Sequence, residues 1–133
     1  MIELKYEWAE VDNLLNRIVV NMFRDGWKPD CIVSTTLDSI VPSVLLSKKL
    51  NCEFHMNTGY DFSKYGNILI FQDFNQLGNT LGQFVHEFKT KNNIKFAALV
   101  HNEASIFDVD YAGYYINELD SFYVIEFPWN EYE

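Results

Sequence analysis

Basic residues are scarce in this chain: ten lysines and arginines stand against nineteen acids, a formal net charge of −9. A surface of that sign repels phosphate backbones, which argues against nucleic-acid binding through a broad basic face. A polyphosphate ligand would need local compensation from metal ions or oriented N–H groups. No apolar run approaches the roughly 18 residues that a membrane-spanning helix requires. Residues Met1 to Trp8 carry no signal-peptide pattern, so the expectation is a cytoplasmic protein without membrane association. There are two cysteines, Cys31 and Cys52, neither at metal-ligand spacing, and they are expected as reduced, mostly buried thiols. No two of the three histidines have ligand spacing either. Repeats, linkers and low-complexity segments are absent.

What is present points to a folded chain. Its 133 residues suit a single domain spanning 1–133 with a real core, and 48% are hydrophobic against 22% charged. Eleven Phe and eight Tyr predict an aromatic-rich core and are compatible with an aromatic interface. Trp8, Val11, Leu15, Ile18, Val19, Met22 and Phe23 recur at helical spacing, predicting an amphipathic helix over Glu7 to Asp25 that Gly26 stops. Cys31 to Thr35 reads as a buried strand, 36–39 as a turn, and Ile40 to Leu50 as a helix with Pro42 in its first turn. Cys52 to Asn57 alternates like an edge strand, and Thr58 to Gly66 is a loop. Strands follow at 67–72 and 95–101, with a helix from about Thr80 to Lys91 between them, and shorter candidates at 114–116 and 123–127. Helices alternating with short buried strands predict an α/β fold built on a doubly wound, mainly parallel sheet. The 34–39 and 73–80 turns then fall at the C-terminal ends of strands, where ligands bind in such sheets.

The stretch from Asn67 to Gly82 carries the most chemistry. An apolar run, Ile68 to Phe71, gives way to polar residues and then to Gly78 and Thr80 before a helix. Free N–H groups and the positive dipole end of a helix's first turn make an anion site. An ordinary βα turn with a threonine cap accounts for the same residues.

Gln72-Asp73-Phe74-Asn75-Gln76-Leu77-Gly78-Asn79-Thr80 resembles, in register, the acid-acid-x-x-acid-Thr-Gly-x-Thr motif of the type I phosphoribosyltransferases. Pro29 to Val33, Val41-Pro42, Leu45 to Ser47, Phe96 to Val100, Asp110 to Gly113 and Phe127-Pro128-Trp129 are similar in order and spacing to the small bacterial-type xanthine–guanine enzymes. The resemblance implies a small C-terminal hood over the sheet, a homodimer, and purine-salvage transfer from phosphoribosyl pyrophosphate with Mg²⁺. Carried over residue by residue, it puts the ribose at Gln72 and Asp73, with Asp73 as the metal ligand. The phosphate lies on Asn75, Gln76, Leu77, Gly78, Asn79 and Thr80, and the pyrophosphate on Thr36, Leu37, Asp38 and Ser39. The base lies near Asn102, Tyr123 and Val124, and the catalytic pair falls on Asp73 and Gln76.

Several of these positions depart from the family. Leu37-Asp38-Ser39 stands where the family has Arg-Gly-Gly, so the bidentate phosphate donor is lost and a negative charge enters. Gln72 and Gln76 replace acids, and an amide cannot accept a proton at neutral pH. Asn102 replaces a lysine. The reading is therefore a phosphoribosyltransferase-like protein with little or no normal transfer. The alternatives are a catalytically silent module that binds a nucleotide or other phosphorylated small molecule, and an acidic structural protein with a vestigial cleft.

Overall fold

In the computed structural model, described over residues 1–56, 62, 64–87 and 93–132, seven strands and three α-helices alternate along the chain. A short strand β1 (Ile2–Lys5) precedes helix α1 (Trp8–Asp25), whose start is fixed by a reciprocal capping box between Glu7 and Glu10. Its buried stripe is Val11, Leu14, Leu15, Ile18 and Met22. Phe23, expected on that stripe, lies about 100° around the helix from Met22 and is 86% exposed. Gly26 ends the helix at φ 65°, giving its N–H to the Met22 and Phe23 carbonyls.

Strand β2 (Cys31–Ser34) leads through a 3₁₀ turn (Leu37–Ser39) into α2 (Ile40–Leu50) and edge strand β3 (Glu53–Met56). Then come β4 (Asn67–Asn75), α3 (Asn79–Glu87), β5 (Asn93–Asn102), β6 (Tyr111–Ile116) and β7 (Tyr123–Glu126), with a closing 3₁₀ turn (Pro128–Tyr132). The main sheet is parallel throughout, in the order β3-β2-β4-β5-β6.

Strand periodicity of two sorts the core into two layers. Ile32, Leu69, Phe71 and Leu99 face α1 and α2, while Cys31, Val33, Ile68 and Ile70 meet Leu81 and Phe84 of α3. The sheet is therefore doubly wound, as its sequence pattern predicted. Burial pushes the Cys31 thiol up to about 12 and the Cys52 thiol to about 11, so neither is a thiolate at neutral pH.

Strand β1 was not legible beforehand. It pairs in parallel with β7, from Ile2↔Tyr123 to Lys5↔Glu126, to make a second small sheet. Tyr6 stacks on Phe127, Phe127 on Trp129, and Trp8 tilts against Trp129. This aromatic stack seats the C-terminal hood, which is tied by Glu118 to the C-terminal end of β5. Among the described residues no helix is long and apolar enough to cross a membrane.

Candidate functional site

The chain steps outward from β2 to β3, then returns to place β4 on the other side of β2. That reversal between β2 and β4 is a switch point, and a crevice opens there beyond the strand ends. The 34–39 and 73–80 turns sit side by side at it: Thr35 N–H donates to the Phe71 carbonyl, and Asp73 N–H to Ser39 Oγ at 3.0 Å.

Strand β4 runs to Asn75, three residues past the end expected from its apolar run. Pairing of Phe74 with Val100 and Asn75 with His101 carries it on. Asp73 and the Asn75 amide nitrogen are buried with hydrogen-bond partners. Asp73 Oδ1 takes the Phe74 N–H at 2.8 Å and faces the Ser39 hydroxyl at 3.4 Å. Burial raises the Asp73 carboxyl above its ordinary range. The Phe74 N–H, the Trp129 indole and Ser39 oppose that rise, and the Asp38 charge adds to it. The indole nitrogen of Trp129 closes no hydrogen bond of standard geometry, so we regard its effect on Asp73 as a weak dipolar one.

Beyond Asn75 the loop encloses a cleft of about 230 Å³, lined by Gln72, Phe74, Asn75, Gln76, Leu77, Gly78, Asn79 and Thr80. All six residues expected around a phosphate therefore line one cleft. Among the described residues no acceptor takes the main-chain N–H of Leu77, Gly78, Asn79 or Thr80. These are the orphan donors of the α3 start. On the same wall the side-chain carbonyls of Gln72 and Asn75 are buried without a donor. Residues with unpaired donors and residues with unpaired acceptors thus line one small concavity.

Gly78 has φ 93°, and a Cβ there would stand 2.6 Å from Phe107 N and 2.9 Å from Phe107 Cβ. The close neighbour that requires this glycine is a segment of the chain itself. The Ile106 N–H donates to the Leu77 carbonyl, Asn75 Nδ2 to the Phe107 carbonyl at 2.8 Å, and Ser105 Oγ to the same carbonyl at 2.7 Å. His101, buried under Tyr115, has Nδ1 3.0 Å from Asn75 Nδ2 and Nε2 3.2 Å from Asp108. Burial lowers its pKa while Asp108 and Glu103 push it up; in the neutral ring Nδ1 accepts from Asn75 and Nε2–H donates to Asp108. This clasp was missed in the sequence, where only Gly78 hinted at a close approach.

The other expected site residues are distributed as follows. Thr36 Oγ1 and Ser39 Oγ lie 2.8 Å apart inside the 3₁₀ turn, Leu37 is 77% exposed, and no residue of that turn has positive φ. Asn102 spends its amide on its neighbours. Nδ2 donates to the Gln76 carbonyl at 2.8 Å and faces Glu118 Oε1, while Oδ1 accepts from Ala104 and Glu118 N–H groups. Tyr123 is joined to the same carboxylate through its N–H, and Val124 beside it is exposed. Glu118 thus brings Asn102 and Tyr123 together. Of the loop expected from Thr58 to Gly66, residues 58–61 and 63 lie outside the described residues, and Phe62 is buried with Cys31 and Val33. No group of three or more His, Cys, Asp or Glu able to hold a metal ion occurs among the described residues.

No protein-family profile matches this chain, and no curated protein does. Solved structures do. The purine phosphoribosyltransferase of Pyrococcus horikoshii superposes with a TM-score of 0.80 at 21% identity, over 97% of this chain and 94% of that one. The xanthine-guanine-hypoxanthine phosphoribosyltransferase of Helicobacter pylori gives 0.82 at 14%, over 96% and 92%. A Neisseria gonorrhoeae protein with bound ppGpp gives 0.77 at 12%, over 97% and 89%. At these identities the shared property is the fold: this chain has the phosphoribosyltransferase architecture across nearly its whole length.

Proposed function

We propose that this protein binds a phosphorylated sugar or nucleotide in the 72–80 cleft and carries out little or no normal purine phosphoribosyl transfer. One observation carries the reading: Leu77 to Thr80, whose main-chain N–H groups have no acceptor among the described residues, line the same cleft as Gln72 and Asn75, whose side-chain carbonyls are buried without a donor. Phosphate oxygens satisfy the first set, and ribose hydroxyls answer the second once the two buried amides turn outward, so a sugar phosphate suits both. The backbone supplies the donors, which lets an acidic protein hold an anion without a basic side chain. Structural likeness to purine phosphoribosyltransferases, and to a protein solved with ppGpp, supports a purine nucleotide as the ligand.

Mg²⁺ fits only as an ion held by ligand phosphates and water, because Asp73, the carboxylate that the motif keeps, is buried against Ser39 and Phe74 outside the cleft lining. When bound it would neutralise charge on a polyphosphate. The second reading is a regulatory or interaction module. It is favoured by Asp73 lying outside the cleft lining and by Leu37 and Leu77 standing exposed where the family pattern has polar or charged side chains. We place the protein in the cytoplasm as reduced thiols, and as a homodimer through the exposed hood residues Leu119, Phe122 and Val124. Light scattering that finds monomer alone at about tens of micromolar, where a specific dimer of standard interface size persists, would remove the dimer.

The binding test is thermal. GMP and IMP at about 100 times Kd should raise stability by about 2.7 kcal/mol, and guanosine should do much less. Thr80→Val, which removes a hydroxyl from the cleft and keeps the shape, should weaken GMP binding by about 1 kcal/mol. Equal stabilisation by guanosine and GMP would show that phosphate is not what the cleft recognises.

A further inference from the structure

Away from the loop, a second cleft of about 410 Å³ opens between α1 and β6, lined by Arg17, Arg24, Val20, Asn21, Gly113 and Tyr115 among others. Arg17 and Arg24 are the two arginines of the chain. They lie seven residues apart, two helical turns or about 10 Å, and so share one face of α1. In a protein of net charge −9, both would be expected to pair with acids, and among the described residues neither does. Arg17 donates one N–H to the Gly113 carbonyl at 3.2 Å. Arg24 makes no hydrogen bond or ion pair among the described residues.

The acids nearest along the helix are committed elsewhere. Glu10 closes the capping box with Glu7, Asp12 pairs with Lys49, and Asp25 accepts the Tyr111 hydroxyl at 2.9 Å. The two guanidiniums therefore make no ion pair among the described residues, and they lie beside an apolar wall. Val20 is 47% exposed and Tyr115 49% exposed, with Ala112 and Gly113 forming the floor on the edge strand of the sheet. Asn13 and Asn21 add amide groups at the rim. A volume within the roughly 300–1,000 Å³ of small-molecule sites, an apolar wall and a few convergent donors describe a ligand site.

We propose that this cleft binds a small organic anion, a carboxylate or phosphate carried on a flat apolar body, with Arg17 and Arg24 holding the charge and Tyr115 and Val20 covering the body. Guanidinium forks suit either anion bidentately, and their planes stack on rings. The site is separate from the 72–80 cleft, with which it shares no lining residue.

Because the chain has two arginines, Nε-selective ¹⁵N spectra show two side-chain signals, one reporter for each proposed contact. Benzoate and phenyl phosphate are titrated to about 10 mM, ten times the Kd of a weak millimolar site. Both signals should shift along one binding curve with each probe, and the relative affinities tell carboxylate from phosphate as the preferred head group. Inorganic phosphate, which lacks the apolar body, should bind at least about ten-fold more weakly than phenyl phosphate, a difference of 1.4 kcal/mol. Arg24→Gln should weaken benzoate by about ten-fold or more, and Arg24→Lys by less. Arg24 has no hydrogen-bond or ion-pair partner to lose among the described residues, and only its favourable place in the last turn of α1 is affected, so both variants should remain folded. Thr80→Val should leave benzoate binding unchanged, separating this site from the loop. Signals that do not move, or benzoate binding within two-fold of the unmodified protein in Arg24→Gln, would overturn the assignment.

Discussion

Replacing Gly78 with alanine should destabilise the protein by about 2–5 kcal/mol, from roughly 1–2 for a left-handed backbone and 1–3 for overpacking. The backbone term applies because φ is 93° there. The packing term applies because the new methyl would press on Phe107 N at 2.6 Å and Phe107 Cβ at 2.9 Å. That obstacle cannot turn aside as the tip of a long side chain could. Phe107 is held by its ring against Phe96, with centroids 4.8 Å apart, and by its carbonyl on Asn75 and Ser105. The loop or the clasp must therefore move, and either movement disturbs the N–H groups of Leu77 to Thr80. Urea unfolding should show a lower midpoint with an unchanged slope, and GMP should lose most of its stabilising effect. Gly82→Ala is the matched control four residues on. Its methyl would meet only Phe107 Cδ2 at 3.8 Å, inside helix α3. Helix propensity alone should make that variant more stable by about 0.5–1 kcal/mol. Two glycine-to-alanine changes one turn apart should thus differ in sign. If both were neutral, the contact between the loop and the 105–107 segment would not be one that holds in solution.

The parts of this fold that were legible beforehand are those fixed by burial on both faces. Ile68 to Phe71 and Phe96 to Val100 are long enough apolar runs for central strands, and β2, β4 and β5 occupy the middle of the sheet. Helix α2 was read to its ends with Pro42 in its first turn, and the structure adds Asn51, at φ 52°, as its left-handed stop. Strand β1 was not visible. Four residues of Ile-Glu-Leu-Lys carry a weak alternation, and the strand exists only because a partner 121 residues later supplies its hydrogen bonds, as in Ile2↔Tyr123. The extension of β4 was hidden for a related reason. Asp73 and Asn75 look like loop residues until Ser39, Phe74, His101 and Phe107 are seen to satisfy them. The phosphate turn could be located because a strand, a glycine and a helix start follow one another locally. The clasp on it comes from residues about 30 positions away whose types signal nothing. Polar burial is a property of pairs, and single-residue patterns do not record pairs.

Purine phosphoribosyl transfer by the unmodified protein should be slower by about four orders of magnitude or more than the ~10 s⁻¹ typical of enzymes. The reaction develops positive charge on the sugar and releases pyrophosphate, so it needs charged groups aimed at the leaving group and the base. Here the turn beside β2 offers exposed Leu37 and acidic Asp38 in place of a guanidinium. Gln72 and Gln76 cannot take a proton, and the Asn102 amide is spent on Gln76, Glu118 and Ala104. Asp73, the acid that the motif keeps, is buried with a raised pKa and does not line the cleft. One missing transition-state donor costs about 2.7–4 kcal/mol, or two to three orders of magnitude. Such losses are not additive, yet two of them already reach the expected deficit. The assay runs guanine, xanthine and hypoxanthine with phosphoribosyl pyrophosphate and Mg²⁺, beside a Gln76→Asp, Leu77→Thr double variant. Both substitutions suit the structure: Leu77 is 64% exposed, and Gln76 is tied into the loop by its main-chain carbonyl. The double variant should gain about one to two orders in rate, a fraction of what one restored donor is worth, because Leu37 and Asn102 still lack their charges. GMP binding by the unmodified protein, measured on the same samples, separates a silent site from an empty one. Turnover near 1 s⁻¹ by the unmodified chain would mean that the leaving group is held by residues other than those identified at the β2 turn.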